Sequence, residues 1–286
     1  MESIDLIKAT AEQGDADAQN LLGCCLFDGD KIPKNVELSV LWFRKSAIQG
    51  HINGQYNYAT SLLFGDGVQS NKAKAFKWFK KCVKQGHEKG QYNLALLYKK
   101  GEGVEKDLEQ ATYWFRKCAE NGNIRAQSAL AQAYENGIGV ELDVAKSIYW
   151  FTKSAEQGDE ITQLLLGIEY STGDKVVEDK EMASHWFSRS AEQGNDTAQV
   201  YLGEMYFHGD GINQDKKLAA YWFEKSAAQG NGGAQYHLGA AYFFGWGVET
   251  NNKRAAELIK KSMENDYEDA QSTWEYNELW KYLDSE

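Results

Sequence analysis

The 286-residue chain reads as an all-α solenoid, and three observations carry that reading. The first is a strict period. Glutamine recurs every 36 residues, at Gln19, Gln55, Gln91, Gln127, Gln163, Gln199, Gln235 and Gln271, with no insertion or deletion. A self-similar unit of that length marks a stacked repeat. The second is a pair of helix-start columns in each period, rich in Asp and Asn, the residues that cap helix N-termini. The third is a recurring Gly-x-Gly turn between them, where glycine permits the positive φ that ends a helix.

The elements follow in order. Residues 1–13 supply a lone N-terminal capping helix, in which Leu6 and Ile7 stand where later helices carry Trp-Phe. Residues 14–265 hold seven repeats of two helices, A and B. A turn glycine (Gly14, Gly50, Gly86, Gly122, Gly158, Gly194, Gly230) precedes each A helix, followed by a cap column of Asp15, His51, His87, Asn123, Asp159, Asn195 and Asn231. Helix A then shows an apolar stripe at helical spacing: Ala18 and Gln19, Leu22 and Gly23, and a closing aromatic such as Tyr98 or Tyr206. Gly or Ala at the Gly23 position reads as the point of close helix contact. The Gly-x-Gly turn comes next, as in Gly65–Gly67 and Gly245–Gly247. Asn35, Asn71, Asp107, Asp143, Asp179, Asp215 and Asn251 then cap helix B. Helix B carries an Ala contact, a Trp-Phe pair (Trp42–Phe43 through Trp222–Phe223) and a basic residue near its end. The pairs recur at one position of six B helices, with Leu258–Ile259 in the last, so they read as core. The basic residue suits the negative end of the helix dipole. The repeated Gln reads as a hydrogen-bonding spacer whose partner the sequence does not name. Residues 266–286 supply a C-terminal capping helix, expected over 268–284. The count is sixteen helices in one continuous array.

These columns resemble the Sel1-like repeat family, a relative of the tetratricopeptide repeat. The pattern is plainest in residues 191–230, AEQGNDTAQVYLGEMYFHGDGINQDKKLAAYWFEKSAAQG. The resemblance implies an α/α superhelix whose A helices line a concave groove. It also implies a register in which four A-helix columns face that groove. Two clusters of partner-binding candidates follow. Tyr56, Phe64 and Tyr92 lie beside Lys99 and Lys100 in the first half. His208, Tyr236, Phe243, Phe244, Tyr276 and Trp280 lie in the second half, with Trp246 among them. Exposed aromatics in a variable column are what an interface hot spot needs. The column that holds Phe27 and Phe243 reads equally well as packing between neighbouring A helices. Lys99 and Lys100 also read as plain solvated charges.

Composition bounds the function. Net charge is −11, which argues against a general nucleic-acid or anionic-membrane binder. Residues 71–117 nevertheless hold twelve Lys/Arg against five Asp/Glu, so they carry +7 and the rest of the chain −18. No run is long and apolar enough for a membrane span. The N-terminal MESIDLIKAT has no secretory pattern, so a cytoplasmic location is expected. Cys24, Cys25, Cys82 and Cys118 form no disulfide framework and read as small buried residues in a reducing compartment. The five histidines have no metal-ligand spacing, no P-loop Lys-Ser/Thr follows the Gly-x-Gly turns, and no nucleophile elbow occurs. No catalytic residue, metal or cofactor is therefore assigned, and the expectation is a non-catalytic, monomeric protein-binding module. Two roles fit the residues and the resemblance. One is an inhibitor or immunity protein that neutralises a basic bacterial toxin domain through the groove. The other is a regulatory scaffold or adaptor, or a secreted effector binding host or signalling proteins. The first is preferred because the chain is acidic and carries no effector domain.

Overall fold

The computed structural model describes residues 3–283. Contacts group the chain into two compact units, Met1–Trp150 and Phe151–Glu286. Among the described residues there are sixteen α-helices and no strand. The first eight are α1 (Ile4–Glu12), α2 (Ala16–Asp28), α3 (Val36–Ile48), α4 (Ile52–Phe64), α5 (Lys72–Lys84), α6 (Glu88–Lys100), α7 (Leu108–Glu120) and α8 (Ile124–Asn136). The others are α9 (Val144–Glu156), α10 (Glu160–Thr172), α11 (Lys180–Gln193), α12 (Asp196–His208), α13 (Lys216–Ala228), α14 (Gly232–Phe244), α15 (Asn252–Glu264) and α16 (Glu268–Tyr276). Even-numbered helices are A helices and odd-numbered ones are B helices. Each unit is a solenoid of stacked hairpins. In unit 1, α2 packs on α3, α4 on α5 and α6 on α7, and each B helix also packs on the next A helix. In unit 2, α10 packs on α11, α12 on α13 and α14 on α15 in the same way.

Helix boundaries follow from capping. Every side chain of the first cap column accepts the backbone N–H three residues on, from Asp15 with Ala18 to Asn231 with Ala234. The two histidines do it through a ring nitrogen: Nδ1 of His51 accepts from Gly54 and Nδ1 of His87 from Gly90, each at 3.0 Å. The A helices from α2 to α14 end on a left-handed glycine, such as Gly101 at φ 70°. The second glycine of the turn has a further reason. A Cβ at Gly103 would lie 2.3 Å from the carbonyl carbon of Lys72, at the start of the preceding B helix. In the first turn Lys31 takes this place and still adopts φ 62°.

The repeated glutamine has two partners. Gln199 Nε2 donates to the carbonyl of Ala191, near the end of α11, at 3.1 Å. Its Oε1 accepts from Nε2 of Gln229, just past α13, at 3.0 Å. The same pair of bonds forms at Gln19 with Ala11 and Gln49, and at Gln163 with Ala155 and Gln193. The amide thus ties the C-terminal end of one B helix to that of the next, where carbonyls lack helical partners. A buried serine adds a third tie. Ser226 Oγ donates to the carbonyl of Asp196, the first residue of α12, at 2.9 Å.

The Trp-Phe pairs divide their roles, and the core reading needs refinement. The phenylalanines are buried, Phe43, Phe79, Phe115, Phe151, Phe187 and Phe223 among them. They press on the small residue of helix A: a Cβ at Gly203 would sit 2.6 Å from the Phe223 ring. Of the tryptophans only Trp186 is fully buried; Trp42, Trp78, Trp114, Trp150 and Trp222 are partly exposed. The basic column covers several of them. Nζ of Lys45 lies 3.9 Å from the Trp42 centroid, and that of Lys81 3.9 Å from Trp78. The ring contact adds to the dipole as a reason for a cation at that position.

The C-terminal cap departs from expectation. Helix α16 stops at Tyr276, Glu278 takes φ 51°, and a 3₁₀ turn spans Leu279–Tyr282. Tyr267 gives α16 no side-chain cap, and Asp266 stands at φ 55° where earlier repeats have glycine. The physical reason for the break is burial. Leu279 is 1% exposed and packs into the apolar cluster of Ala256, Ile259 and Ala270. The end of the expected helix, residue 284, lies outside the described residues.

The four cysteines are free; Cys25, Cys82 and Cys118 are buried. Burial pushes the thiols of Cys82 and Cys118 up to about 12. Among the described residues no helix is long and apolar enough to cross a membrane.

Candidate functional site

Unit 2 contains a pocket of about 390 Å³ built by α12, α13, α14 and α16. Its space comes from small side chains. Ala219 and Ala220 of α13 and Ala240 and Ala241 of α14 are all buried and line it. The position of Ala220 is held by Phe76 in the second repeat, and that of Ala240 by Leu96 in the third. Around this floor stand Phe207, Phe223, Tyr236, Phe244, Trp246 and Tyr276.

The rings hold one another. Phe244 stacks on Trp246 at 4.6 Å, and Trp246 meets Phe207 edge-on at 5.0 Å. Tyr236 packs on Tyr267 at 5.2 Å and accepts a hydrogen bond from Thr273 Oγ1 at 3.3 Å. His237 stacks on Phe223 at 4.8 Å and places Nε2 3.1 Å from Oε1 of Glu204. Lys216 lies over Phe207 and Trp246, with Nζ 5.2 and 5.9 Å from their centroids. The site is therefore an aromatic bowl with one carboxylate and one ammonium on its lining.

Five of the sequence candidates, His208, Tyr236, Phe244, Trp246 and Tyr276, line this one pocket. Tyr276 is 89% exposed and Phe244 51%. Phe243 does not line it. That ring packs inward against the C-terminal cluster, 6.4 Å from Tyr282, as the helix-packing reading of its column allows. Trp280 sits on the 3₁₀ turn, 43% exposed and away from the lining.

The first-half candidates do not form one site. Tyr56 stacks on His87 at 4.3 Å and meets Phe79 at 5.9 Å. Tyr92 packs on Phe115 at 5.7 Å, and burial raises its phenol above the ordinary value. Phe64 is 67% exposed and has no ring contact among the described residues. Lys99 borders a shallow pocket with Gln132 and Asn136, and Lys100 is exposed. Among the described residues no group of His, Cys, Asp and Glu could hold a metal ion.

Sequence reasoning missed Lys216 and His237, and left Glu204 and Phe207 unassigned within their columns. Lys216 starts a B helix and His237 follows Tyr236, so neither falls in a groove-facing column. Only the signal that two neighbouring columns turn small at Ala220 and Ala240 could have located the pocket.

Stacked helical hairpins joined by capped glycine turns, with an aromatic recess on their surface, define a helical-repeat protein of the interaction type. The chain belongs to the Sel1 repeat family: that repeat matches residues 16–51, 52–87, 89–123, 124–159, 161–195, 197–231 and 233–267. Among solved structures, it is similar to a protective antigen present in uropathogenic Escherichia coli strains, which displays an SLR fold. The two are 34% identical over 95% of this chain and 58% of that one, with a TM-score of 0.90. The chain thus spans less than two thirds of that relative's length. It is also similar to a Sel1 repeat protein from Oxalobacter formigenes, 29% identical over 96% of this chain and 79% of that one, with a TM-score of 0.72. An immunity protein from Pseudomonas aeruginosa is 20% identical over 74% of this chain and 80% of that one. Its TM-score of 0.43 carries no functional inference. No curated protein gives a significant match.

Proposed function

We propose that the chain is a non-catalytic module that captures another protein through the aromatic pocket of unit 2, and that its role is to inhibit a basic toxin. The carrying observation is the convergence of exposed rings, Phe244 and Tyr276 foremost, on a recess in an acidic unit. Residues 151–286 hold 12 Lys/Arg against 24 Asp/Glu, whereas residues 1–150 hold 19 against 18. An acidic unit that carries aromatic anchors suits a basic partner, because charge speeds encounter and buried rings hold the complex. On this reading the protein acts in the cytoplasm of the cell it protects. A second reading, an effector that binds host proteins, is favoured by the likeness to a protective antigen of uropathogenic strains.

The test is affinity capture from the source organism's lysate with the tagged chain and its Phe244→Ala variant, followed by co-expression. One near-stoichiometric basic protein, lost with the variant and toxic unless co-expressed with this chain, supports the inhibitor role. Capture of a host protein instead, from host lysate, moves the reading to the effector. Phe244→Ala should weaken capture by about 2 kcal/mol and leave the melting temperature nearly unchanged. A large fall in melting temperature would make Phe244 a core residue and end the pocket reading.

A further inference from the structure

The chain repeatedly covers its aromatic faces with cations. Lys225 lies 5.0 Å from the Trp222 centroid, and the Arg254 guanidinium 4.5 Å from Tyr242. The negative face of a ring attracts a positive head, more strongly as water is excluded. In the unit 2 pocket Lys216 already does this over Phe207 and Trp246. Among the described residues no cation lies over Tyr236, Phe244 or Tyr276, although all three line the same recess. Phe244 carries Trp246 against one face and Tyr236 packs on Tyr267, so the ring surface left for a partner is the rest of these two rings and the exposed Tyr276.

Negative charge completes the arrangement. Glu204 lines the pocket with its side chain 37% exposed, and His237 Nε2 orients it from 3.1 Å. Tyr267, which packs on the pocket's Tyr236, lies close enough to feel this charge. The Tyr267 phenol is held above its ordinary value by burial first, then by the charges of Asp269 and Glu204.

We propose that the pocket of unit 2 accepts a basic side chain from the partner, arginine in preference to lysine, its charged head on Glu204 and its stem against Tyr236 and Phe244. This rests on the protein-binding reading above. Arginine is favoured because its planar guanidinium both stacks on rings and pairs with a carboxylate. An apolar side chain would strip water from Glu204 and give nothing in return. An acidic one would meet Glu204 and the charge of the whole unit, with Lys216 alone to receive it.

The experiment is a titration of the full-length, ¹⁵N-labelled protein with acetylated, amidated Gly-Gly-X-Gly-Gly peptides, X being Arg, Lys, norleucine or Glu. The readout is the indole N–H signal of Trp246, assigned through Trp246→Phe. The Arg and Lys peptides should shift it, Arg more tightly. Norleucine and Glu should bind about tenfold more weakly or not at all. Glu204→Gln should weaken the Arg peptide about threefold to tenfold while leaving the rest of the spectrum in place. Norleucine equal to Arg, or no effect of Glu204→Gln, would make the recess an apolar anchor. Preference for Glu would make Lys216 the anchor. Either result overturns the basic-side-chain inference and leaves a peptide-binding pocket. No shift with any peptide removes both that inference and the pocket-based function.

Discussion

At the residue scale, His87 shows how a side chain can cap a helix and respond to pH. Its Nδ1 accepts the Gly90 N–H, so that nitrogen must be unprotonated. Burial, then the charge of Lys89, holds its pKa below the ordinary value. The unfolded chain therefore binds this proton more readily than the folded one. Stability is complete above the unfolded value of about 6.5 and falls as pH drops from there toward the lowered folded value. Asparagine caps without titrating, as Asn123 does with Ala126. Melting temperature should thus fall further in the wild type than in His87→Asn between about pH 7 and about pH 5. Equal losses would show that His87 is not the titrating cap. The capping role was legible because His87 shares a column with Asp and Asn. The stacking of Tyr56 on its ring was not, since the two lie on successive A helices and only folding places them face to face.

At the element scale, the amide ladder and the second turn glycine hold one hairpin against the next. Gln199→Leu removes the bond to Ala191 and the acceptor for Gln229, in a site 3% exposed. That should cost about 1–3 kcal/mol in denaturant unfolding, because buried polar groups lose partners. Gln271→Leu should be nearly neutral: Gln271 is exposed and, among the described residues, its side chain bonds only to Glu275 of its own helix. Similar losses at both sites would remove the ladder as a source of stability. Gly103 and Gly86 make a second pair. Both have positive φ, but a Cβ at Gly86 meets nothing within 4 Å, whereas one at Gly103 strikes Lys72 backbone. Gly86→Ala should cost roughly 1–2 kcal/mol of backbone strain, and Gly103→Ala roughly 1–3 kcal/mol more, from overpacking. Equal costs would show that the turn gives way without moving α5. Helix boundaries were legible here because caps and glycines mark them residue by residue. The Gln partners were not, since a column shows that an amide is needed without showing which way it faces. The break after Tyr276 was hidden for another reason. Helical spacing continues through Leu279, and only the fold shows that residue turned back onto Ala256, Ile259 and Ala270.

At the scale of the whole molecule, charge and shape act on different steps of binding. The sequence shows the charge directly: the second unit carries −12 and the first +1, by the counts given above. It does not show the pocket, which depends on Ala220 and Ala240 being small on two different helices. Long-range attraction raises the rate of encounter and is screened by salt over about 8–10 Å at physiological strength. Rings buried in a recess act after encounter and slow dissociation. The captured partner, if basic, should therefore associate more slowly as salt rises from about 50 to about 300 mM, with its dissociation rate changed far less. Phe244→Ala should do the opposite, raising the dissociation rate about thirtyfold for a loss of about 2 kcal/mol, with association nearly unaltered. Stopped-flow or surface-binding kinetics separate the two. An association rate indifferent to salt would mean that the acidity of unit 2 serves solubility and not recognition. A Phe244→Ala effect confined to association would mean that the ring shapes the approach to the site and is not held in the complex.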